Sequence, residues 1–220
     1  MGVIFVLADG RRCRGMLGGR VTDSPRDHHI RLSVARRMVA DYMWAASGVA
    51  RVDVASSISF GDVIRARNGL DAAPSWTAIF TKAFAIVAAE IPQLRQFYMK
   101  LLWPHLFEYG ESTACILQER EILGDIGLFP LRIRKPDGIP LAELTKMIRR
   151  AADAPIDDSP FGRVVVAVSR LPLPFRRLLW SLCLNVPRLR RHGLGTFGIS
   201  SVARWHSELG TSRTPLSCLL

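Results

Sequence analysis

The sequence predicts an α/β fold, because stretches in which apolar residues recur at helical spacing are interspersed with stretches in which they alternate with polar residues. The clearest helix covers residues 75–90, where Ser75 can cap the first turn and a broad apolar face is expected to be almost wholly buried. The clearest alternation covers residues 195–201, where small or polar residues separate Phe197 and Ile199. On its own, this second pattern indicates an edge strand that directs its serines toward water.

The length and composition are those of one globular domain. The chain has 220 residues, of which 49% are hydrophobic and 22% charged, so a single domain can bury roughly 70% of the unfolded surface. Lysine and arginine outnumber aspartate and glutamate by 30 to 19, which gives a net charge of +11. This excess indicates an anionic partner, such as a phosphate-bearing cofactor, nucleic acid or acidic lipid. A high arginine content follows equally from a GC-rich genome.

Cysteine usage and hydropathy argue against a metal protein, a secreted protein and a membrane protein. Cys13, Cys115, Cys183 and Cys218 lie far apart without the spacing of a metal site, and we interpret them as reduced structural thiols. The apolar run over residues 3–8 is short and lacks a preceding basic residue, so it makes a poor signal peptide. No window contains the roughly 18 apolar residues of a membrane span. We therefore expect a cytoplasmic protein without a bound metal.

The first third of the chain is predicted to hold two helices and one strand. Residues 1–29 are rich in glycine and arginine and are expected to form a loose arm, followed by one domain over residues 30–220. An amphipathic helix is predicted over residues 32–44, because its apolar and basic residues lie on opposite faces. A strand over residues 49–60 and a short helical piece over residues 61–67 follow.

The middle of the chain is predicted to form a strand pair between helices. Pro92 ends the long helix. Spacing and alternation then predict a short helical turn over residues 94–99, an aromatic loop or strand over 103–109, strands over 112–118 and 129–134, and a helix over 140–152.

The segment from residue 154 to residue 191 has an unusual composition. Residues 164–168 are too few to decide between helix and strand, whereas residues 176–184 form an apolar helix around Trp180 with arginines on both flanks. Such a helix could lie on an anionic membrane surface or pack as a cap over a basic cleft. A plain packed helix with solvated arginines is the preferred interpretation.

Four short motifs, taken in this order, resemble the catalytic domain of the 2-oxo acid dehydrogenase acyltransferases. The motifs are Ala35-Arg36-Arg37-Met38, Ile91-Pro92-Gln93-Leu94 after the long helix, Pro140-Leu141-Ala142-Glu143-Leu144, and Gly195-Thr196-Phe197-Gly198-Ile199-Ser200-Ser201. These dihydrolipoyl acyltransferase components share a fold with chloramphenicol acetyltransferase, and the resemblance spans about residues 30–220. It implies an α/β two-layer sandwich, with a mixed sheet and helices on one face.

The resemblance also implies a reaction and a set of site residues. Family members transfer an acyl group between coenzyme A and a thiol or hydroxyl acceptor, and they work as trimers or multiples of trimers with active sites between subunits. Ser200 matches the serine that donates a hydrogen bond to the tetrahedral oxyanion, and Ser201 is the alternative if the match is off by one. Arginines of the last third are candidate contacts for the coenzyme A phosphates, on charge and position alone: Arg176, Arg177, Arg190 and Arg191. The sequence shows no lipoyl domain, peripheral-subunit-binding domain or lipoyl lysine, so the chain resembles a stand-alone member of the family, and a lipoylated or acyl-carrying protein is one candidate partner.

The sequence departs from the family at the general base. The family's His-x-x-x-Asp-Gly motif is absent, and the histidines are His28, His29, His105, His192 and His206. The chain is therefore expected to be truncated at its C-terminus and impaired in activity. One alternative is a non-catalytic scaffold or partner in an acyltransferase-like assembly, and another is a basic peripheral membrane-surface binder. Nucleic-acid binding is not expected, because the sequence has no zinc finger and no Gly-rich phosphate loop.

Overall fold

The computed structural model describes residues 32–47, 59–100, 103–154, 156 and 159–200. Its helices and strands follow in the order α1 (Val34–Ala46), α2 (Gly61–Asn68), α3 (Trp76–Glu90), a 3₁₀ helix (Pro92–Arg95), β1 (Gln96–Met99), β2 (His105–Glu108), β3 (Thr113–Ile122), β4 (Asp125–Arg134), α4 (Leu141–Asp153), α5 (Pro160–Ser169), α6 (Leu173–Asn185), α7 (Pro187–Leu194) and β5 (Phe197–Ser200).

The larger described sheet is mixed and has the strand order β4-β3-β5. Strands β3 and β4 form an antiparallel hairpin, in which Leu123 and Gly124 make the turn with φ angles of 50° and 77°. Strand β5 runs parallel to β3 after a crossover that contains α4 to α7. Strands β1 and β2 form a separate antiparallel pair. The predicted α/β class with a mixed sheet is confirmed.

Helices α3 and α4 cover one face of the β4-β3-β5 sheet. The side chains of α3, α4 and the three strands form one buried apolar cluster, whose largest members are Phe80, Phe84, Ile116, Ile133, Leu144, Ile148, Phe197 and Ile199. The rings of Phe84 and Phe197 lie 4.5 Å apart between centroids, so β5 is packed directly against α3. Burial of these side chains is the main force that holds the sheet to its helices.

Helix α1 covers the same sheet face toward the hairpin turn. A Cβ atom on Gly127 of β4 would lie 2.7 Å from the Cβ of Ala35, so only glycine permits this close approach. Helix α6 packs on α1 in turn: Arg176 Nε lies 3.0 Å from Asp41 Oδ2, and the rings of Tyr42 and Trp180 lie 5.5 Å apart. The preferred interpretation of residues 176–184 as a packed helix therefore holds for the side that faces α1. Its solvated arginines are wrong for Arg176, whose side chain is only 13% exposed because it pairs with Asp41.

Local signals located most of the helices. Ser75 caps α3 by accepting a hydrogen bond from the backbone N–H of Ala78 at 3.2 Å, as predicted. The helices predicted over residues 32–44, 61–67 and 140–152 correspond to α1, α2 and α4, and the undecided residues 164–168 belong to α5. The apolar face of α3 is less buried than expected, because Ile86 and Val87 are exposed in the described structure.

The predictions for the strands need two corrections. Residues 94–99 are not a helical turn beyond Arg95, because Gln96–Met99 pairs with His105–Glu108 as β1 and β2. The two central strands are longer than predicted and meet in a hairpin; β4 tolerates Pro130 because β4 lies at the edge of the described sheet. The predicted arm over residues 1–29 lies outside the described residues, as do residues 49–58 of the strand predicted over residues 49–60.

Candidate functional site

Strand β5 is fixed at its start by contacts with Thr113. The Oγ1 atom of Thr196 accepts a hydrogen bond from the N–H of Thr113 at 2.9 Å and donates one to the Thr113 carbonyl at 3.2 Å. The Thr196 N–H donates to the same carbonyl at 2.8 Å. Both threonines are buried. These bonds set the parallel register in which Ser200 lies opposite Leu117.

Alternation along β5 separates its core residues from its candidate catalytic residue. Phe197 and Ile199 join the apolar cluster with α3 and α4, so Gly198 and Ser200 lie toward the opposite face of the sheet. Ser200 is only 8% exposed, and all four residues of β5 are buried. The expectation that this strand directs its serines toward water is therefore wrong for Ser200. Ser201, the off-by-one alternative, lies outside the described residues.

The sheet face that carries Ser200 also carries Cys115 and Arg132. Cys115 lies opposite Gly198 on one side and opposite Arg132 on the other. The Arg132 guanidinium donates a hydrogen bond to the His192 carbonyl and lies 5.1 Å from the centre of the Phe161 ring. Arg132 thus connects this face to α5 and α7.

Burial makes the thiol of Cys115 a poor nucleophile. Desolvation raises its pKa to about 12, and the positive charge of Arg132 offsets only part of this rise. The thiolate is the reactive form of cysteine, so almost none is present at neutral pH. Cys115 and Cys183 are both free thiols, as the sequence predicted; Cys13 and Cys218 lie outside the described residues.

Cys115 is expected to resist alkylation in the folded protein. At pH 8, iodoacetamide should label Cys115 at least about 100-fold more slowly in buffer than in urea, because the raised pKa removes the thiolate. Peptide mapping by mass spectrometry after timed quenching measures this rate. Equal rates of labelling in the two conditions would show that the thiol is accessible and ionised in the native state.

The four arginines proposed from charge lie in two different places. Arg176 and Arg177 lie on α6 beside α1, where Arg176 pairs with Asp41 and the Arg177 guanidinium lies 4.7 Å from the centre of the Trp44 ring. Arg190 and Arg191 lie on α7. Arg190 is buried, with its guanidinium 4.4 Å from the centre of the Phe97 ring, and donates to the Leu184 carbonyl at 3.1 Å.

A cluster of charges around Glu111 was not found from the sequence. Its carboxylate lies 2.5 Å from Arg134, 2.8 Å from Lys135 and 3.7 Å from Arg191. Three cations thus surround one anion, and Arg134 and Lys135 are mostly exposed. Glu111 lies just before β3, six residues from Leu117, which is the residue opposite Ser200; six extended residues span about 20 Å. The basic residues at the end of β4, Arg134 and Lys135, were the only sign of this cluster in the sequence. No local pattern indicates that Arg191 of α7 joins them.

The described contacts of His105 and His192 do not involve Ser200. His105 belongs to β2, where its Nδ1 lies 2.8 Å from the Trp103 carbonyl and its ring lies near that of Trp103. His192 is exposed on α7. His28, His29 and His206 fall outside the described residues. Among the residues that are described, no group of three or more histidine, cysteine or acidic side chains could hold a metal ion.

Comparison with solved structures identifies the fold. The chain is similar to a probable dihydrolipoamide acetyltransferase from Listeria monocytogenes 4b F2365, with a TM-score of 0.56 and 17% identity over 86% of this chain and 70% of that one. It is also similar to the dihydrolipoamide acetyltransferase of Azotobacter vinelandii, with a TM-score of 0.51 and 14% identity over 58% of this chain and 54% of that one. That structure was solved to study the roles of a serine, a histidine and an asparagine in the enzyme's catalytic mechanism.

These likenesses show an acyltransferase-like fold, as the sequence predicted. No protein-family model and no curated protein sequence matches the chain. Over the described ranges, none of the helices combines the length and the apolar character needed to cross a lipid bilayer. The cytoplasmic location stays a prediction.

Proposed function

We propose that the chain is an acyltransferase-like protein, which transfers an acyl group between coenzyme A and a thiol or hydroxyl acceptor. The observation that carries the proposal is the buried position of Ser200 on β5, which pairs with the central strand β3 in a fold similar to that of solved acetyltransferases. In our proposal one domain over residues 30–220 performs this role, and a homotrimer or a higher multiple is the working assembly.

Ser200 is proposed to stabilise the transition state and not to attack the substrate. When the acceptor attacks the thioester carbonyl, the carbonyl oxygen becomes an oxyanion, which collapses as the coenzyme A thiolate leaves. A hydroxyl donor held in a position with little water stabilises that oxyanion more than a solvated donor does. The proton of the acceptor needs a separate general base, because a neutral serine is far too weak to take it.

The Glu111 cluster offers a place for the phosphate groups of coenzyme A. Arg134, Lys135 and Arg191 carry two more positive charges than Glu111 neutralises, and the first two are accessible to a ligand. Of the four arginines predicted from charge, Arg191 is the one that lies beside exposed cations, and it is itself partly buried. We therefore favour this cluster over the pair Arg176 and Arg177, whose guanidinium groups contact α1.

Replacement of Ser200 by alanine tests the proposal. We expect kcat/KM for acetyl transfer from acetyl-coenzyme A to dihydrolipoamide to fall about 100-fold, because one oxyanion donor is lost. Ser201→Ala is the matched control and should keep the wild-type rate; circular dichroism checks the folding of both variants. Loss of activity in Ser201→Ala alone would make Ser201 the donor. Unchanged rates in both variants would refute an oxyanion role for this strand.

A non-catalytic scaffold or partner is the second candidate function. It is favoured by the positions of His105 and His192, whose described contacts do not involve Ser200. A scaffold would show no acyl transfer above the uncatalysed rate, while light scattering would show a multimer that retains a lipoylated or acyl-carrying partner. A strictly monomeric mass would count against the scaffold.

A further inference from the structure

One continuous part of the chain is basic and contains no acidic residue. From Ser159 to Ser200 there is no aspartate or glutamate, and the cations are Arg163, Arg170, Arg176, Arg177, Arg188, Arg190 and Arg191. This part includes α5, α6 and α7. A surface built from it attracts anions with no acidic side chain of its own to oppose them.

The arginines of this stretch divide into those that contact other protein groups and those that face solvent. Arg176 and Arg177 are turned toward Asp41 and Trp44 of α1. Arg163 and Arg170 are exposed, and they lie seven residues apart along α5 and its C-cap. That spacing places both on one side of the helix.

Exposed apolar side chains lie next to these two arginines along the chain. Leu171 follows Arg170 directly and is 43% exposed, while Phe175 and Leu178 of α6 are 61% and 58% exposed. Phe175 and Leu178 are three residues apart, so they share one side of α6. The opposite side of α6 contains Arg176, Arg177 and Trp180, which contact α1.

We propose that this region is a docking surface for an anionic phospholipid bilayer. We name the five residues Arg163, Arg170, Leu171, Phe175 and Leu178 the α5–α6 corner. Its cations suit acidic headgroups, and its leucine and phenylalanine side chains suit the boundary between headgroups and acyl chains. Helix α6 lies along the membrane surface in this arrangement and does not cross it.

The charge of the corner favours a bilayer over the other possible occupants. A second copy that docked through its own corner would bring the same basic surface, and like charges repel. A neighbour in the proposed trimer would present a different face, and the mass measurement below tests that contact. Nucleic acid would satisfy Arg163 and Arg170 but offers no apolar surface to Phe175 and Leu178. An anionic bilayer supplies both the negative charge and the apolar boundary.

Vesicle sedimentation with the full chain tests the inference. Vesicles of phosphatidylcholine with about 30% phosphatidylserine should sediment the protein at about 50 mM salt, and binding should fall at least tenfold at about 500 mM salt, where charges are screened. Vesicles of pure phosphatidylcholine should bind at least tenfold more weakly. Absence of binding to the acidic vesicles at low salt would overturn the proposal.

Variants of exposed residues separate the two contributions without disturbing the core. Arg163→Gln with Arg170→Gln should weaken binding about 25-fold, because each surface cation contributes about fivefold. Phe175→Ser with Leu178→Ser should weaken it at least about tenfold, through the loss of apolar burial. The matched control is Arg65→Gln with Leu70→Ser, in and just after α2, where the side chains are also exposed. The control should bind like the wild type.

Two other outcomes would give the α5–α6 corner a different partner. If the corner variants bind vesicles normally but lose multimer mass by light scattering, the corner is a contact between copies. If they lose binding only to a DNA or RNA duplex, it is a nucleic-acid surface. Either result overturns the bilayer proposal. The assay contains no coenzyme A, so its result is independent of the proposed acyl transfer.

Discussion

Asp41→Ala is expected to lower the free energy of unfolding by about 3 kcal/mol. The carboxylate of Asp41 and the guanidinium of Arg176 form a largely buried ion pair between α1 and α6. Removal of the carboxylate leaves the Arg176 cation in a site with little water, beside Arg37, which donates to the same Ser169 carbonyl as Arg176. Loss of one member of a buried pair costs much more than the pair contributes. Urea unfolding followed by circular dichroism measures the change.

Two further variants show whether the buried charge is the cause. Asp41→Leu combined with Arg176→Met removes both charges and should recover more than half of the lost stability, because apolar side chains replace buried ion pairs at little cost. Asp62→Ala breaks the exposed pair with Arg65 inside α2 and should leave the unfolding midpoint almost unchanged. If the double variant is no more stable than Asp41→Ala, packing and not charge explains the loss.

The helices were predictable because their signals are local. Ser75 caps α3 through the N–H of a residue three positions later, and the apolar spacing of residues 141–148 depends only on helical geometry. Strand β1 was missed for the opposite reason. Gln96–Met99 becomes a strand by pairing with His105–Glu108, and that pairing lies beyond the window in which spacing is judged.

The candidate site was only partly predictable, because its burial and its charges come from distant parts of the chain. Ser200 was singled out by resemblance, but its burial depends on pairing with Leu117, which lies in a different part of the sequence. The Glu111 cluster connects the residues just before β3 to α7. The Asp41–Arg176 pair connects α1 to α6 through two residues that are 135 positions apart in the sequence. Side chains that meet only after folding leave no periodic pattern in the sequence.

Gly195→Ala is expected to destabilise the protein by at least about 3 kcal/mol and to displace the strand that carries Ser200. Gly195 has φ 70° and ψ −167°, a conformation that residues with a Cβ atom adopt only with strain. An added Cβ would also lie 2.6 Å from the Thr113 carbonyl oxygen and 3.2 Å from the Cβ of Cys115. The Thr113 carbonyl cannot move aside freely, because it accepts both hydrogen bonds that Thr196 donates.

Gly193→Ala provides the matched control two residues earlier in the chain. Apart from its chain neighbours and the backbone of its own helix, no atom lies within 4 Å of the position its Cβ would take, and Gly193 lies within α7, where alanine is preferred to glycine by about 1 kcal/mol. The control should therefore keep or slightly raise the midpoint of urea unfolding, while Gly195→Ala lowers it. Equal stability of the two variants would mean that the turn can relax around a side chain.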